Sequence, residues 1–267
     1  FAEESTAWPK VTCPPEEDRL GFTFKWNMGW MHDFLEYMKL DPYFRKFNHH
    51  KMTFGMTYAT SENFILVLSH DEVVHLKCSM INKMPGIYED KFANLKVGYT
   101  FMMTHPGKKL LFMGQDFGQW HEWDEKVSLD WYLTNEDLHK DLLQYVKDLL
   151  TLYRQYPALY RLDNDWNGFQ WINANDGDRS IFSYVRRDET NKKNLLVVCN
   201  FTPMDRPDYC VGVPKRGNFT LVLDNRHGLY HRGDGAPVFR SKKKECDGQP
   251  YSFAYHLPPY GTAIFRF

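Results

Sequence analysis

Apolar positions in the first part of the chain follow the periods of buried strands and of helices. Continuous apolar runs at residues 64–68 and 110–113 predict buried strands, the second within residues 109–113, and residues 21–26 predict a short extended segment. Apolar positions at helical spacing predict helices over residues 29–40, 72–82, 89–104 and 135–156. Strands that are apolar throughout and alternate with helices are typical of a parallel sheet covered on both faces.

After Pro157 the pattern changes to short strands that are separated by clusters of turn residues. Strands are predicted at residues 168–172, 180–187, 194–200, 218–223, 251–257 and 262–267. This pattern predicts an antiparallel β-sandwich. The boundary is expected within residues 157–167, and the run of three lysines at residues 242–244 is expected to be a solvated loop rather than a binding patch.

Composition and charge exclude several classes of protein. The 267 residues are 43% hydrophobic and 25% charged, with a net charge of -1, which is typical of a globular protein and gives no support for a nucleic-acid or membrane-surface partner. The apolar runs are far shorter than the roughly 18–20 residues of a membrane span. Five cysteines with no CxxC pair favour a reducing, cytoplasmic compartment over a disulfide framework or a zinc site.

Carboxylates follow the predicted strands at three places, which are residues 3–4, 71–72 and 116. Ligands of parallel α/β proteins meet the carboxyl ends of the strands, so these acids are candidate catalysts. An acid directly after a strand is also a common helix cap, and the pair Asp71-Glu72 before the predicted helix fits that alternative well. Aromatic residues beside polar ones suit sugar binding, although core packing explains them equally well. Such tryptophans are Trp26, Trp30, Trp120 and Trp123.

Several motifs together resemble one enzyme family. LSHDEVVH at residues 68–75 resembles a region of the α-amylase superfamily in which a strand delivers a His-Asp pair to the sugar, and AEES at residues 2–5 resembles another region in the form typical of bacterial-type 1,4-α-glucan branching enzymes. Four further segments resemble segments of the same enzymes and occur in the same order along the chain. They are residues 25–33, 37–42, 92–95 and 108–114. The chain is therefore similar to a C-terminal portion of a branching enzyme.

The resemblance implies an α/β plus all-β fold, in which the C-terminal half of a (β/α)8 TIM barrel at residues 1–160 precedes an antiparallel β-sandwich at residues 161–267. It also implies cleavage of α-1,4-glucan chains with retention and their transfer to a 6-hydroxyl, which forms the α-1,6 branches of glycogen. The implied substrates are glycogen, amylose and maltooligosaccharides, and neither a metal nor an organic cofactor is implied.

The resemblance also assigns roles to individual residues. Glu3 would be the general acid/base, and Asp71 would be the carboxylate that stabilises the oxocarbenium-like transition state. His70 would bind hydroxyls of the same sugar ring. Trp26 and Asn27 would contact substrate, as would Glu4, which points to the opposite face from Glu3 if the backbone is extended.

One part of the family's catalytic machinery has no counterpart in the sequence. The nucleophile of these enzymes lies on the strand before Glu3, in a segment that this sequence does not contain. The R-x-D spacing at residues 161–163 comes after the last barrel helix and is rejected. We therefore expect a segment that is inactive alone and that has the N-terminal half of the same enzyme as a partner. The alternatives are a hydrolase or debranching enzyme of the superfamily, and a non-catalytic α-glucan-binding module.

Overall fold

The first part of the chain contains a parallel sheet that carries helices. The computed structural model describes residues 1–3, 9–17, 19–231 and 235–267. Strands β1 (Lys25–Trp26), β2 (Phe64–Leu68) and β3 (Lys108–Leu111) pair in that order, and all are parallel. Ala2 extends the sheet beyond β1 through a parallel bridge to Lys25. All five residues of β2 are buried, as the apolar run predicts.

The helices are α1 (Met28–Lys39), α2 (Pro42–Arg45), α3 (His49–Phe54), α4 (Tyr88–Thr104) and α5 (Asp137–Gln155). Three of the helices, α1, α4 and α5, follow predicted positions closely, whereas the short helices α2 and α3 have no predicted counterpart. Helix α5 buries one apolar face, which includes Leu142, Leu149 and Leu152, as its spacing indicates. Helix α4 buries residues on most of its surface because it lies between α5 and the β-rich part.

The C-terminal part consists of two antiparallel sheets. The larger contains β4 (Phe169–Asn173), β5 (Ile181–Arg186), β6 (Leu195–Asn200), β8 (Asn218–Asp224), β9 (Gly228–Leu229), β10 (Val238–Arg240) and β12 (Thr262–Arg266). Its order is β10-β8-β12-β6-β5-β4, with β9 paired to β8. The smaller sheet pairs β7 (Arg206–Val213) with β11 (Tyr251–Leu257). The predicted antiparallel all-β part is therefore confirmed.

The larger sheet has a core on each of its faces. Along β6, Leu195, Val197 and Cys199 belong to a cluster that includes the helices and the parallel sheet. Leu196 and Val198 alternate with them and pack in a second cluster against β7 and β11. The two parts of the chain thus share one continuous apolar core.

The sequence-based predictions differ from the structure at several places. All four residues of β3 are partly exposed, although a buried strand is predicted there, and β9 and β10 have no predicted counterpart. No α-helix forms over residues 72–82, where the structure has short 3-10 turns at His70–Glu72 and Ile81–Lys83 with irregular backbone between them. Strand β7 was not predicted, because Pro207 and Asp208 are exposed and interrupt the apolar pattern of its first half. Within the described residues, no helix is long and apolar enough to cross a membrane.

Candidate functional site at the carboxyl edge of the parallel sheet

The parallel register brings the candidate residues to one edge of the sheet. The Ala2 amide donates to the Phe24 carbonyl at 2.8 Å, and the Trp26 amide donates to the Ala2 carbonyl at 2.8 Å. Glu3 therefore lies at the carboxyl edge of the sheet. Strands β1 and β2 end at the same edge, directly before Asn27 and Ser69. Neighbouring strands lie about 4.8 Å apart, so the backbones that carry Glu3 and Asp71 are separated by about two strand spacings.

Glu3 is exposed at this edge, and the structure shows no side-chain partner for it among the described residues. Glu4, the other acid of the AEES motif, lies outside the described residues. The roles assigned to Glu3 and Glu4 therefore stay predictions.

Asp71 lies in a 3-10 turn directly after β2. Its Oδ1 is 3.2 Å from the Nε2 of His70, and its Oδ2 accepts a hydrogen bond from the Ser69 hydroxyl at 3.4 Å. The exposed fraction of the side chain is 42% for His70 and 39% for Asp71. A carboxylate and an imidazole are thus presented together, half exposed, at the end of a fully buried strand.

The alternative that Asp71 caps a helix is not supported by the structure. The segment after the turn leaves helical geometry at once, and His75, Leu76 and Cys78 have positive φ angles of 55°, 66° and 68°. No hydrogen bond from a backbone amide to the Asp71 carboxylate is present among the described residues. The carboxylate is therefore not occupied by a helix N-terminus, and its contacts are with the side chains of His70 and Ser69.

The loop after Asp71 is held by residues that sequence reasoning missed. The Glu122 carboxylate accepts hydrogen bonds from the amides of Leu76 at 3.0 Å and Cys78 at 2.6 Å. The Trp123 amide donates to the Val73 carbonyl at 2.9 Å. These contacts span more than 40 residues of sequence, so no local pattern could have predicted them.

Lys77 lies on the same loop and reaches back to the strand end. Its Nζ donates to the Asp71 carbonyl at 2.7 Å and lies 3.3 Å from the Glu72 Oε1. Its cationic end is thus fixed beside the backbone of the candidate catalytic carboxylate. A lysine in an irregular loop gives no signal of such a contact in the sequence.

Aromatic rings form a wall beside His70. The ring centroids of Phe112 and Trp123 lie 5.8 and 6.2 Å from that of His70, and Phe112 and Trp123 meet edge to face at 5.1 Å. Trp123 and Trp120 are both only partly buried. Flat rings beside hydroxyl-binding groups suit a sugar, whose C–H face is apolar.

The remaining candidates have visible structural roles. The Asn27 Oδ1 accepts from the Trp30 amide at 2.9 Å and so caps α1, and the Tyr58 hydroxyl is 3.3 Å from the same oxygen. Trp26 is partly buried against the core. Trp30 is 3% exposed and stacks on Phe34 at 4.8 Å, so it is a core residue rather than a sugar platform.

Asp163, the acid of the rejected R-x-D spacing, belongs to a buried ion-pair network. Its Oδ1 is 3.0 Å from the Arg186 guanidinium and its Oδ2 is 2.9 Å from the Lys108 Nζ. Burial opposes ionisation, but Arg186, Lys109 and Lys108 outweigh it and hold the pKa of Asp163 below its ordinary value. The arrangement fits a structural group. Within the described residues, no cluster of three or more His, Cys, Asp or Glu side chains could hold a metal ion.

Comparison with known families matches the second part of the chain to a domain. Residues 171–267 match the family described as alpha amylase, C-terminal all-beta domain. Among solved structures, a pullulanase from Bacillus acidopullulyticus superimposes with a TM-score of 0.65 at 12% identity, covering 91% of this chain and 30% of that one. An alpha-amylase from H. orenii superimposes with a TM-score of 0.59 at 15% identity, covering 99% of this chain and 52% of that one. These likenesses concern the fold alone.

Sequence relatives cover the whole chain at much higher identity. The 1,4-alpha-glucan branching enzyme of Butyrivibrio fibrisolvens is 60% identical over 270 residues, which are 100% of this chain and 42% of that protein. The enzyme of the same name from Geobacillus stearothermophilus is 46% identical over 269 residues, with 100% and 42% covered. The chain thus spans about two fifths of the length of these relatives. Its sequence is that of a homologue of the 1,4-alpha-glucan branching enzymes, and it corresponds to a C-terminal portion of them that includes an alpha-amylase-type all-β domain.

Proposed function

We propose that this chain supplies the acid/base and the transition-state-stabilising carboxylate of a 1,4-α-glucan branching enzyme. The observation that carries the proposal is the placement of Glu3, His70 and Asp71 at one edge of a parallel sheet, in a chain whose relatives bear that name. The reaction cleaves an α-1,4 bond with retention and transfers the released chain to a 6-hydroxyl, which builds an α-1,6 branch. The substrates are α-1,4-glucans such as glycogen, amylose and maltooligosaccharides.

The residues at this edge suit a double displacement. In a retaining transfer, one carboxylate attacks the anomeric carbon and a second protonates the leaving oxygen, then deprotonates the incoming hydroxyl. Glu3 is exposed and therefore able to exchange protons with both leaving and entering oxygens. Asp71 and His70 are both half exposed, so they can hold hydroxyls of the sugar ring as positive charge develops on it. The nearby rings of Phe112 and Trp123 would orient the glucan.

The proposal assigns the rest of the machinery to the part of the enzyme outside this chain. Residues 1–160 would be the C-terminal half of a (β/α)8 barrel, and residues 161–267 would be its C-terminal β-sandwich domain. The N-terminal half would close the barrel and provide the nucleophilic carboxylate, so this chain alone would be inactive. The enzyme would work in the cytoplasm, which the cysteines without a CxxC pair favour.

The test follows iodine absorbance and reducing ends of amylose together, using this chain joined or mixed with its N-terminal half. We expect falling iodine colour without new reducing ends, and we expect Glu3→Gln and Asp71→Asn each to abolish it. The matched controls are Glu16→Gln and Asp208→Asn, which remove exposed carboxylates from the turn at Pro15–Glu17 and from β7 and should leave the rate unchanged.

Three results would contradict the proposal in distinguishable ways. Rising reducing ends would mean a hydrolase or debranching enzyme. Glucan binding that survives Glu3→Gln, with no turnover in any sample, would mean a non-catalytic α-glucan-binding module. Equal activity in Asp71→Asn and the wild-type protein would remove Asp71 from the mechanism.

A further inference from the structure

A cavity of about 490 Å³ opens at the edge of the β-sandwich, and none of its lining residues belongs to the parallel sheet. We call it the basic pocket. It is lined by Arg216, Arg240, Ser241, Lys242, Lys243 and Tyr251. Four of these six side chains are cationic and none is acidic, although the protein as a whole has a net charge of -1.

The backbone around the basic pocket is fixed by hydrogen bonds. The Lys242 amide donates to the Ser252 carbonyl at 2.8 Å, and the Ser252 amide donates back to the Lys242 carbonyl at 3.1 Å. The buried Ser241 accepts a hydrogen bond from the Gly217 amide at 2.9 Å through its hydroxyl. These contacts join the segment after β10, the β7–β8 turn and β11. The lysine run and the neighbouring Arg240 are therefore held beside Arg216, which lies 26 residues before Lys242 in the sequence.

The four cations have no carboxylate partner in the part of the chain that the structure describes. Other charged residues near the basic pocket do have partners. Lys215 lies over the Phe267 ring at 4.9 Å, and Asp247 is occupied by Asn173 at 2.9 Å and Arg179 at 3.1 Å. All four cations are exposed to solvent, as expected for the lysine run, and they gather at one cavity, where an anionic ligand would offset the repulsion between like charges.

A second cavity of about 630 Å³ adjoins the basic pocket and shares Arg240, Lys242 and Lys243 with it. It adds Lys244, and its acidic lining residue is Asp208. Cationic side chains therefore line two adjoining cavities, so there is room for more than one phosphate group. A ligand with two linked anionic groups would reach cations on both sides of Lys242.

We propose that the basic pocket binds the diphosphate group of a nucleotide-sized metabolite. Arginine offers a planar fork that matches phosphate oxygens, and lysine adds point charge, which together favour phosphate over a single carboxylate. The partly buried ring of Tyr251 provides a flat wall for a base or sugar attached to the diphosphate. The volume lies within the roughly 300–1,000 Å³ of small-molecule sites.

The test measures binding of inorganic pyrophosphate and of ADP to the intact protein by calorimetry, with adenosine as the uncharged probe. We expect both phosphorylated probes to bind and adenosine not to bind. Binding should weaken as salt rises from about 50 mM to about 300 mM, because screening shortens the reach of exposed charges. The double variant Arg240→Gln/Lys242→Gln should weaken binding by about tenfold or more, since two charge-assisted contacts are lost.

The matched control is Lys192→Gln/Lys193→Gln, which removes two charges from another exposed pair of neighbouring lysines. It should bind as the wild-type protein does, and thermal unfolding should show that both double variants are folded. Equal weakening by both would mean attraction to net charge alone and would overturn the site. No binding of either phosphorylated probe would overturn it too. If ADP binds more tightly than pyrophosphate, and if Tyr251→Ala removes that difference, the result would support contact between the Tyr251 ring and the base or sugar.

Discussion

Replacing Asp163 by asparagine should destabilise the protein strongly. The Arg186 side chain is fully buried and that of Asp163 is 6% exposed, with 3.0 Å between them. Arg186 also donates to the Thr104 carbonyl at 2.6 Å and to the Gly168 carbonyl at 3.1 Å, so it cannot turn toward water. Loss of the carboxylate would leave a buried guanidinium without a counter-charge. Breaking a buried pair from one side costs about 3–5 kcal/mol, and we expect a loss of that order in the free energy of unfolding.

The assay is urea denaturation followed by circular dichroism, with Glu189→Gln as the contrast. Glu189 pairs with Arg161 at the surface, where water screens both charges, so its loss should have little effect. A loss below about 1 kcal/mol in Asp163→Asn would refute the assignment of a buried, structurally required pair. Any branching activity per folded molecule should be unchanged, whereas a nucleophile at this position would make the same substitution abolish it.

The pH dependence of the same pair has a defined sign. The folded pKa of Asp163 is lowered, so the native state holds its proton less tightly than the unfolded chain does. The stability that the carboxylate contributes is therefore fully present above the unfolded pKa near 3.8 and is lost as pH falls through the folded value below it. The difference in stability between Asp163→Asn and the wild-type protein should shrink in that acidic range.

Three further outcomes are expected. Burial lowers the pKa of His49 from 6.5 to about 4, so the native state binds fewer protons than the unfolded chain. The free energy of unfolding should therefore fall by about 3 kcal/mol as pH drops between those values. Urea titrations should show a flatter pH profile of stability for His49→Gln, but not for His50→Gln, which changes an exposed histidine. A Cβ at Gly98 would lie 3.0 Å from the Met38 Cε in α1, so Gly98→Val should cost about 1–3 kcal/mol by thermal unfolding. Glu122→Ala should release the loop over residues 73–80 and lower kcat for branching, detected as faster proteolysis of that loop together with the iodine assay.

The sequence predicts elements well where a period extends over many residues. The apolar stripe at residues 135–156 became α5 at Asp137–Gln155, and the uninterrupted run at residues 64–68 became β2 with identical bounds. The one-sided apolar surface of α5 and the complete burial of β2 both depend on nearby residues in sequence. The placement of Asp71 after β2 follows from the same pattern.

The predictions fail where distant contacts decide the backbone. Residues 72–82 contain enough apolar positions for a helix, yet the carboxylate of Glu122 binds the amides of residues 76 and 78 and holds them in left-handed geometry. Those charge-assisted hydrogen bonds stabilise the irregular backbone in place of the hydrogen bonds that a helix would form. Strand β7 was missed for a related reason, since its pairing with β11 joins segments about 40 residues apart and tolerates Pro207 on an exposed stretch.

The β-sandwich has a structural task that the sequence left open. Side chains of β5 and β6 that face the helices, including Phe182 and Tyr184, lie in the same core cluster as the parallel strand β2. The Tyr184 hydroxyl is 2.6 Å from the Thr104 hydroxyl at the end of α4, just before β3. Removing the sandwich would expose the side of α4 that packs on β5 and β6, so the parallel sheet and its carboxyl edge depend on the sandwich for stability. The basic pocket lies at the edge strand β10 of the same sheet, away from this shared core, and its four cations are exposed to solvent.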